Sequence, residues 1–131
     1  MFPFVVPAYG AVLALFYIFL SSRVIRSRVA ARVKIGTGGN PGLERRMRIH
    51  ANFAEYVPLA LLLLFFMEAQ GRAAWLLHVL CIALVIARFG HAYALWEEKE
   101  IFRLRVATVS TTFFVIAAAS VSALARALGL W

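Results

Sequence analysis

Residues 2–20 and 106–125 are apolar almost throughout and contain no Asp, Glu, Lys or Arg. At about 1.5 Å of rise per helical residue, each run can cross a hydrocarbon core of about 30 Å. Two further runs are as long but punctuated, 49–67 by His50, Asn52 and Glu55, and 73–95 by His78, Arg88 and His91. The pattern predicts four membrane-spanning helices. Short connections leave no room for a separate soluble unit, so residues 1–131 read as one domain, an all-α integral-membrane four-helix bundle.

Punctuation between the runs refines this picture. Pro3 and Pro7 fall in the opening turns of the first helix, where a missing N–H costs little. "KIGTGGNPG", residues 34–42, reads as a loop. Its last glycine is followed by Leu43 and Glu44 rather than Lys and Ser or Thr, which argues against a phosphate-binding loop. The second helix is expected to start near Leu43 and to continue through Pro58, since freed carbonyls in a membrane helix find other partners. "EAQGR" predicts a tight hairpin, and "ALWEEKEIFRLR" reads first as a charged continuation of the third helix. The amino-terminal run lacks a positive flank, so it is expected to stay as the first helix rather than to act as a signal peptide.

Composition fits a membrane protein: 63% of the 131 residues are hydrophobic, where a soluble domain has about half. The net charge of +8 raises a nucleic-acid reading, which position argues against. Arg23, Arg26, Arg28, Arg32, Lys34, Arg45, Arg46 and Arg48 surround the first loop, and Lys99, Arg103 and Arg105 follow the third helix. By the positive-inside bias, the first and third loops are cytoplasmic. Cys81 is the single cysteine, and the scattered histidines do not form a metal-ligand spacing. No serine stands in a hydrolase-like pattern with a histidine and an acid.

The second helix holds the sharpest chemistry. At about 100° per residue with Arg48 at zero, Arg45 falls near +60°, Asn52 near +40°, Glu55 near −20° and Tyr56 near +80°. One face therefore collects all five. A charge in hydrocarbon costs a few kcal/mol unless it is paired or faces a polar cavity, so Glu55 needs a partner. Arg48, two turns away on that face, supplies one in a purely structural reading in which Asn52 is interhelical glue. Alternatively the face binds a ligand carrying an ammonium and carboxylates, with Glu55 taking the first and arginines the second. Arg88 and His91 are neighbours three apart on the third helix, with Tyr93 on another side. Arg105, Thr108 and Thr112 share a face of the fourth.

"ERRMRIHANFAEYVPLALLL" resembles the second-helix signature of the MAPEG family, the membrane-associated proteins in eicosanoid and glutathione metabolism. Glu44, Arg45, Arg48, Asn52, Glu55, Tyr56 and Pro58 carry the resemblance. It implies a left-handed four-helix bundle that assembles as a homotrimer, with glutathione as co-substrate held between protomers near the cytoplasmic side. It also implies a bacterial-type inner-membrane member acting as a transferase or peroxidase on apolar electrophiles or lipid hydroperoxides that arrive from the surrounding lipid. By position, Arg48, Asn52, Glu55 and Tyr56 resemble the glutathione contacts. Arg28 resembles an arginine near the thiol, and "ARFGHAY" nominates Arg88, His91 and Tyr93. Arg105 resembles the arginine that stabilises the thiolate, and so is the expected catalytic residue. His50 and the placement of Tyr93 depart from the eicosanoid enzymes. A non-catalytic binding or structural protein, its trimer held by the same polar cluster, is the alternative; an ion relay through Glu55 and His91 ranks last.

Overall fold

The computed structural model describes residues 4–130. Four helices follow one another: α1 (Val5–Ala31), α2 (Pro41–Ala69), α3 (Ala74–Ala94) and α4 (Phe102–Ala127). Each is long and apolar enough to cross a membrane. The expectation of Pro3 in the opening turn of α1 lies outside the described residues.

The helices run up and down as a bundle, and every pair packs together except α1 with α4. Leu13, Ala60, Leu64, Cys81, Leu84, Val115 and Ala119 meet in the middle with no exposed surface. Large apolar side chains such as Leu15, Ile18, Val79, Ile86 and Phe114 point outward instead. That distribution suits a solvent of lipid, in which outward apolar surface carries no penalty.

α2 begins two residues earlier than the sequence suggests. Asn40 caps it by accepting from the Leu43 N–H at 2.9 Å, and Pro41 sits in the first turn, where its missing N–H is not needed. The helix continues through Pro58 as expected. The reading of "ALWEEKE" as an extension of α3 is corrected: α3 stops at Ala94, and residues 97–100 lie in the loop to α4. Carboxylates placed beyond a helix C-terminus oppose the negative end of its dipole, so "EEKE" is a poor continuation. The Ile101 N–H bonds the Ala94 carbonyl at 3.0 Å and closes that loop.

The start of α1 is secured from a distance. A helix leaves its first four N–H groups without internal partners. Here those positions are Phe4, Val5, Val6 and Pro7, and the last has no N–H. The Glu68 carboxylate accepts from the other three, at 2.6, 2.6 and 2.8 Å. One side chain near the end of α2 thus satisfies every orphan donor of α1 and favours the positive end of its dipole. Glu68→Ala is expected to destabilise the bundle by about 1–2 kcal/mol, with Glu68→Gln retaining part of that. Thermal unfolding of the purified protein in detergent measures both.

Candidate functional site

Arg88 is the organising residue. It lies on the inner face of α3 and is only 2% exposed. Its Nη1 donates to Asn52 Oδ1 on α2 at 2.8 Å, and its Nη2 donates to Thr112 Oγ1 on α4 at 2.5 Å. A longer contact, 3.4 Å, reaches the Thr108 carbonyl. Thr112 in turn donates to that carbonyl at 3.0 Å. One guanidinium therefore ties three helices together at the end of the bundle that bears the 32–40 and 95–101 loops.

This grip requires α3 and α4 to lie close. Gly90, within the same turn as Arg88 and His91, permits it: a Cβ there would stand 2.9 Å from Thr108 Cγ2. Small residues at helix contacts serve this purpose in membrane bundles.

His91 is buried beside Arg88 at 3% exposure, and Arg88 and Arg105 are the charges that act on it. His91 Nδ1 and Arg88 Nε are among the buried side-chain atoms, with Gln70 Oε1 and Ser122 Oγ, that have no hydrogen-bond partner among the described residues. Buried polar atoms are nearly always satisfied, so the first two mark where water or a polar ligand would complete the bonding.

The α2 face divides in two. Asn52 and Tyr56 are half-buried at its inner edge, the first on Arg88 and the second packing edge-on against Phe113 of α4 at 5.3 Å between ring centres. Arg48 and Glu55 are exposed on the outer edge. The expected Arg48–Glu55 pair does not form within the chain. The ion pair among the described residues is Arg105 to Glu100 at 3.0 Å. Nor is Glu55 buried in the chain, as its position within a span suggests; it stands on a flank of α2 that the chain itself leaves uncovered.

Arg105 lines an open groove of about 340 Å³ on α4 with Phe102, Val106, Val109, Ser110 and Phe113. Since Phe113 also touches Tyr56, groove and α2 face adjoin. The Arg105–Glu100 pair is about 40% exposed on both sides, and such pairs are worth about 0–1 kcal/mol, so exchange for another anion is inexpensive.

Two sequence candidates stand elsewhere in the chain. Arg28 folds onto the first loop, donating to the Gly36 carbonyl at 2.8 Å and to Met47 Sδ at 3.3 Å. Tyr93 is 67% exposed and belongs to an outward aromatic groove of α1 and α3. His50 bonds Ser21 at 3.0 Å and stacks on Tyr17, an α1–α2 contact. His78 bonds Tyr9 at 2.8 Å from an exposed position on α3. Sequence reasoning missed Glu100 and Gly90. A glycine inside a helix, two residues after a charged one, is the signal that marks the second.

Comparison with known proteins agrees with this architecture. Residues 6–125 match the MAPEG family. Over 105 residues the chain is 36% identical to inner membrane protein YecN of Escherichia coli strain K12, spanning 80% of this chain and 79% of YecN. YecN of an Escherichia coli O6:H1 strain matches to the same extent.

Arg88→Leu is expected to cost about 1–3 kcal/mol by leaving Asn52 and Thr112 without their donor. Gly90→Ala is expected to destabilise by a similar or smaller amount through the Thr108 contact. Chemical or thermal unfolding in detergent reads both effects.

Proposed function

The chain belongs to the MAPEG family, and from that premise we propose that it is a multi-pass inner-membrane protein using glutathione to attack apolar electrophiles or reduce lipid hydroperoxides. The single observation that carries this reading is the uncovered α2 flank. Glu55 stands exposed within a span, with Arg48 exposed on the same flank nearer the first loop, and a charge facing hydrocarbon costs several kcal/mol. Another copy of the chain and a polar ligand between copies remove that cost. We therefore infer a homotrimer, the assembly implied by the family, with its sites at the subunit boundaries. Arg28 of one copy, held on the first loop of its own chain, then serves a neighbouring site. The basic residues around the first and third loops support placing this end of the bundle in the cytoplasm.

The donor set fits glutathione, which carries two carboxylates, one ammonium and one thiol. Glu55 would hold the ammonium. Arg48 and Arg28 would hold carboxylates as two-pronged donors, and Asn52, Tyr56, Arg88 and His91 would supply the polar wall. The buried Arg88 Nε and His91 Nδ1 fit a ligand that accepts or donates there. Tyr93 faces outward and would reach such a site only from a neighbouring copy.

When bound, the tripeptide supplies a sulfur nucleophile. A free thiol has a pKa near 8.5 and is mostly protonated at neutral pH. Arg105 releases Glu100 and offers its guanidinium to the sulfur, favouring the anion. The apolar groove around Arg105 is open on one side, giving a bilayer-dissolved partner a lateral approach.

One observation favours a second reading, a binding protein without turnover: Arg105 already holds a carboxylate, Glu100. Conjugation of a chlorinated nitrobenzene separates the two. For an enzyme, Arg105→Ala is expected to lower kcat/KM about a hundredfold, with Arg103→Ala changing it less than about threefold. Equal losses would remove Arg105 from the chemistry. Glutathione is expected to raise the Tm of the wild type, since a ligand at about 100 times its Kd adds about 2.7 kcal/mol. Glu55→Gln is expected to abolish most of that rise; an undiminished rise would refute the assignment of the α2 face.

A further inference from the structure

The α1–α3 side of the bundle carries a second set of features that the glutathione reading does not use. On α1, Phe16, Phe19, Arg23, Arg26, Ser27 and Ala30 fall at spacings of three, four, three, one and three, which is one stripe of a helix. On α3, Phe89 and Tyr93 complete a facing stripe that Trp96 extends just beyond the helix end.

Where the stripes meet, Phe16 stacks on Phe89 at 4.0 Å and Phe19 on Trp96 at 6.2 Å. These rings wall an apolar groove of about 360 Å³ on the outer surface. The Arg23 guanidinium carbon lies over the Trp96 ring, 3.3 Å from its centre. A guanidinium held by an aromatic ring keeps N–H groups that can donate to an anion. Arg23 also lines the next hollow, about 250 Å³, with Arg26, Ser27, Ala30 and Arg46. Arg46 reaches that hollow from α2, where Ser27 fixes it by accepting a hydrogen bond from its Nη1. Three guanidinium groups thus gather at the end of an aromatic trough, and Glu97 is the carboxylate that acts on Arg23.

We propose that this composite is a binding site for an anionic phospholipid, with the phosphate headgroup among Arg23, Arg26 and Arg46 and an acyl chain along the Phe16–Phe89 groove. Charge complementarity selects this occupant. An aromatic trough alone accepts any acyl chain, whereas three fork-shaped cations match phosphate oxygens. Basic pockets between membrane helices have this recognition chemistry, and the trough leads from headgroup level into the hydrocarbon, as a lipid does. None of Arg23, Arg26 and Arg46 is among the proposed glutathione contacts, so the two sites fail or succeed separately.

The test uses the full-length protein purified in detergent and exposed to phosphatidylglycerol or phosphatidylcholine. Native mass spectrometry is expected to show phosphatidylglycerol retained in preference to phosphatidylcholine. The double variant Arg23→Gln/Arg46→Gln is expected to reduce retention by at least about tenfold, while Arg32→Gln/Lys34→Gln, which removes the same charge from the same end, keeps it. As a second readout, Trp75→Phe/Trp131→Phe leaves Trp96 as the fluorophore. Phosphatidylglycerol brominated on its acyl chains should quench it more than brominated phosphatidylcholine, and Arg23→Gln/Arg46→Gln should erase the difference. The proposal is overturned by equal retention of the two lipids, by equal loss in both double variants, or by retention that Arg23→Gln/Arg46→Gln leaves unchanged.

Discussion

The guanidinium of Arg88 is the interaction on which the rest of the site depends. A cation 2% exposed inside a membrane bundle is costly unless its donors are used, and here they bind Asn52 of α2 and Thr112 of α4. The bonds fix the rotation of three helices relative to one another. Because Asn52 is drawn inward to Arg88, its neighbours Arg48 and Glu55, at about −40° and −60° around α2 from it, are turned outward. A polar flank on the outside of the chain is thus a consequence of a polar anchor on the inside. Gly90 sets the α3–α4 separation that allows the anchor to reach.

The two ends of the bundle are stabilised by different means. At one end Glu68 gathers the amino-terminal N–H groups of α1, a contact between helices that needs no second charge. At the other, arginines outnumber carboxylates, and several side chains settle on neutral partners: Arg28 on a loop carbonyl and a thioether, Arg46 on Ser27, Arg23 on an aromatic face. Cations satisfied by neutral groups keep their charge available to anions. That surplus, rather than any one residue, makes this end suited to carboxylate and phosphate chemistry.

Much of the architecture was legible in the sequence because hydrocarbon imposes a length and a polarity on every spanning segment. The four helices and the passage of α2 through Pro58 follow from that and from helical geometry. What was not legible depends on contacts between distant positions. Periodicity placed Asn52 on the same face as Glu55 but could not name Arg88, 36 residues on, as its partner. Glu68 looked like part of a hairpin because its targets lie over 60 residues away. The end of α3 was misjudged because alanine and leucine before "EEKE" favour helix, whereas the dipole and the Ala94–Ile101 bond end it. The opposed directions of Arg88 and Tyr93 were readable from their spacing, although resemblance alone grouped them.

In the proposed function the outward flank of α2 meets another copy of the chain and a polar thiol ligand rather than lipid. Electron cryomicroscopy of the protein in a lipid nanodisc with glutathione tests it most directly. Density for the tripeptide is expected between subunits, bounded by Glu55 and Arg48 of one copy and by residues of another. A particle in which Glu55 borders the lipid shell, with no neighbouring subunit and no ligand density beside it, would contradict it.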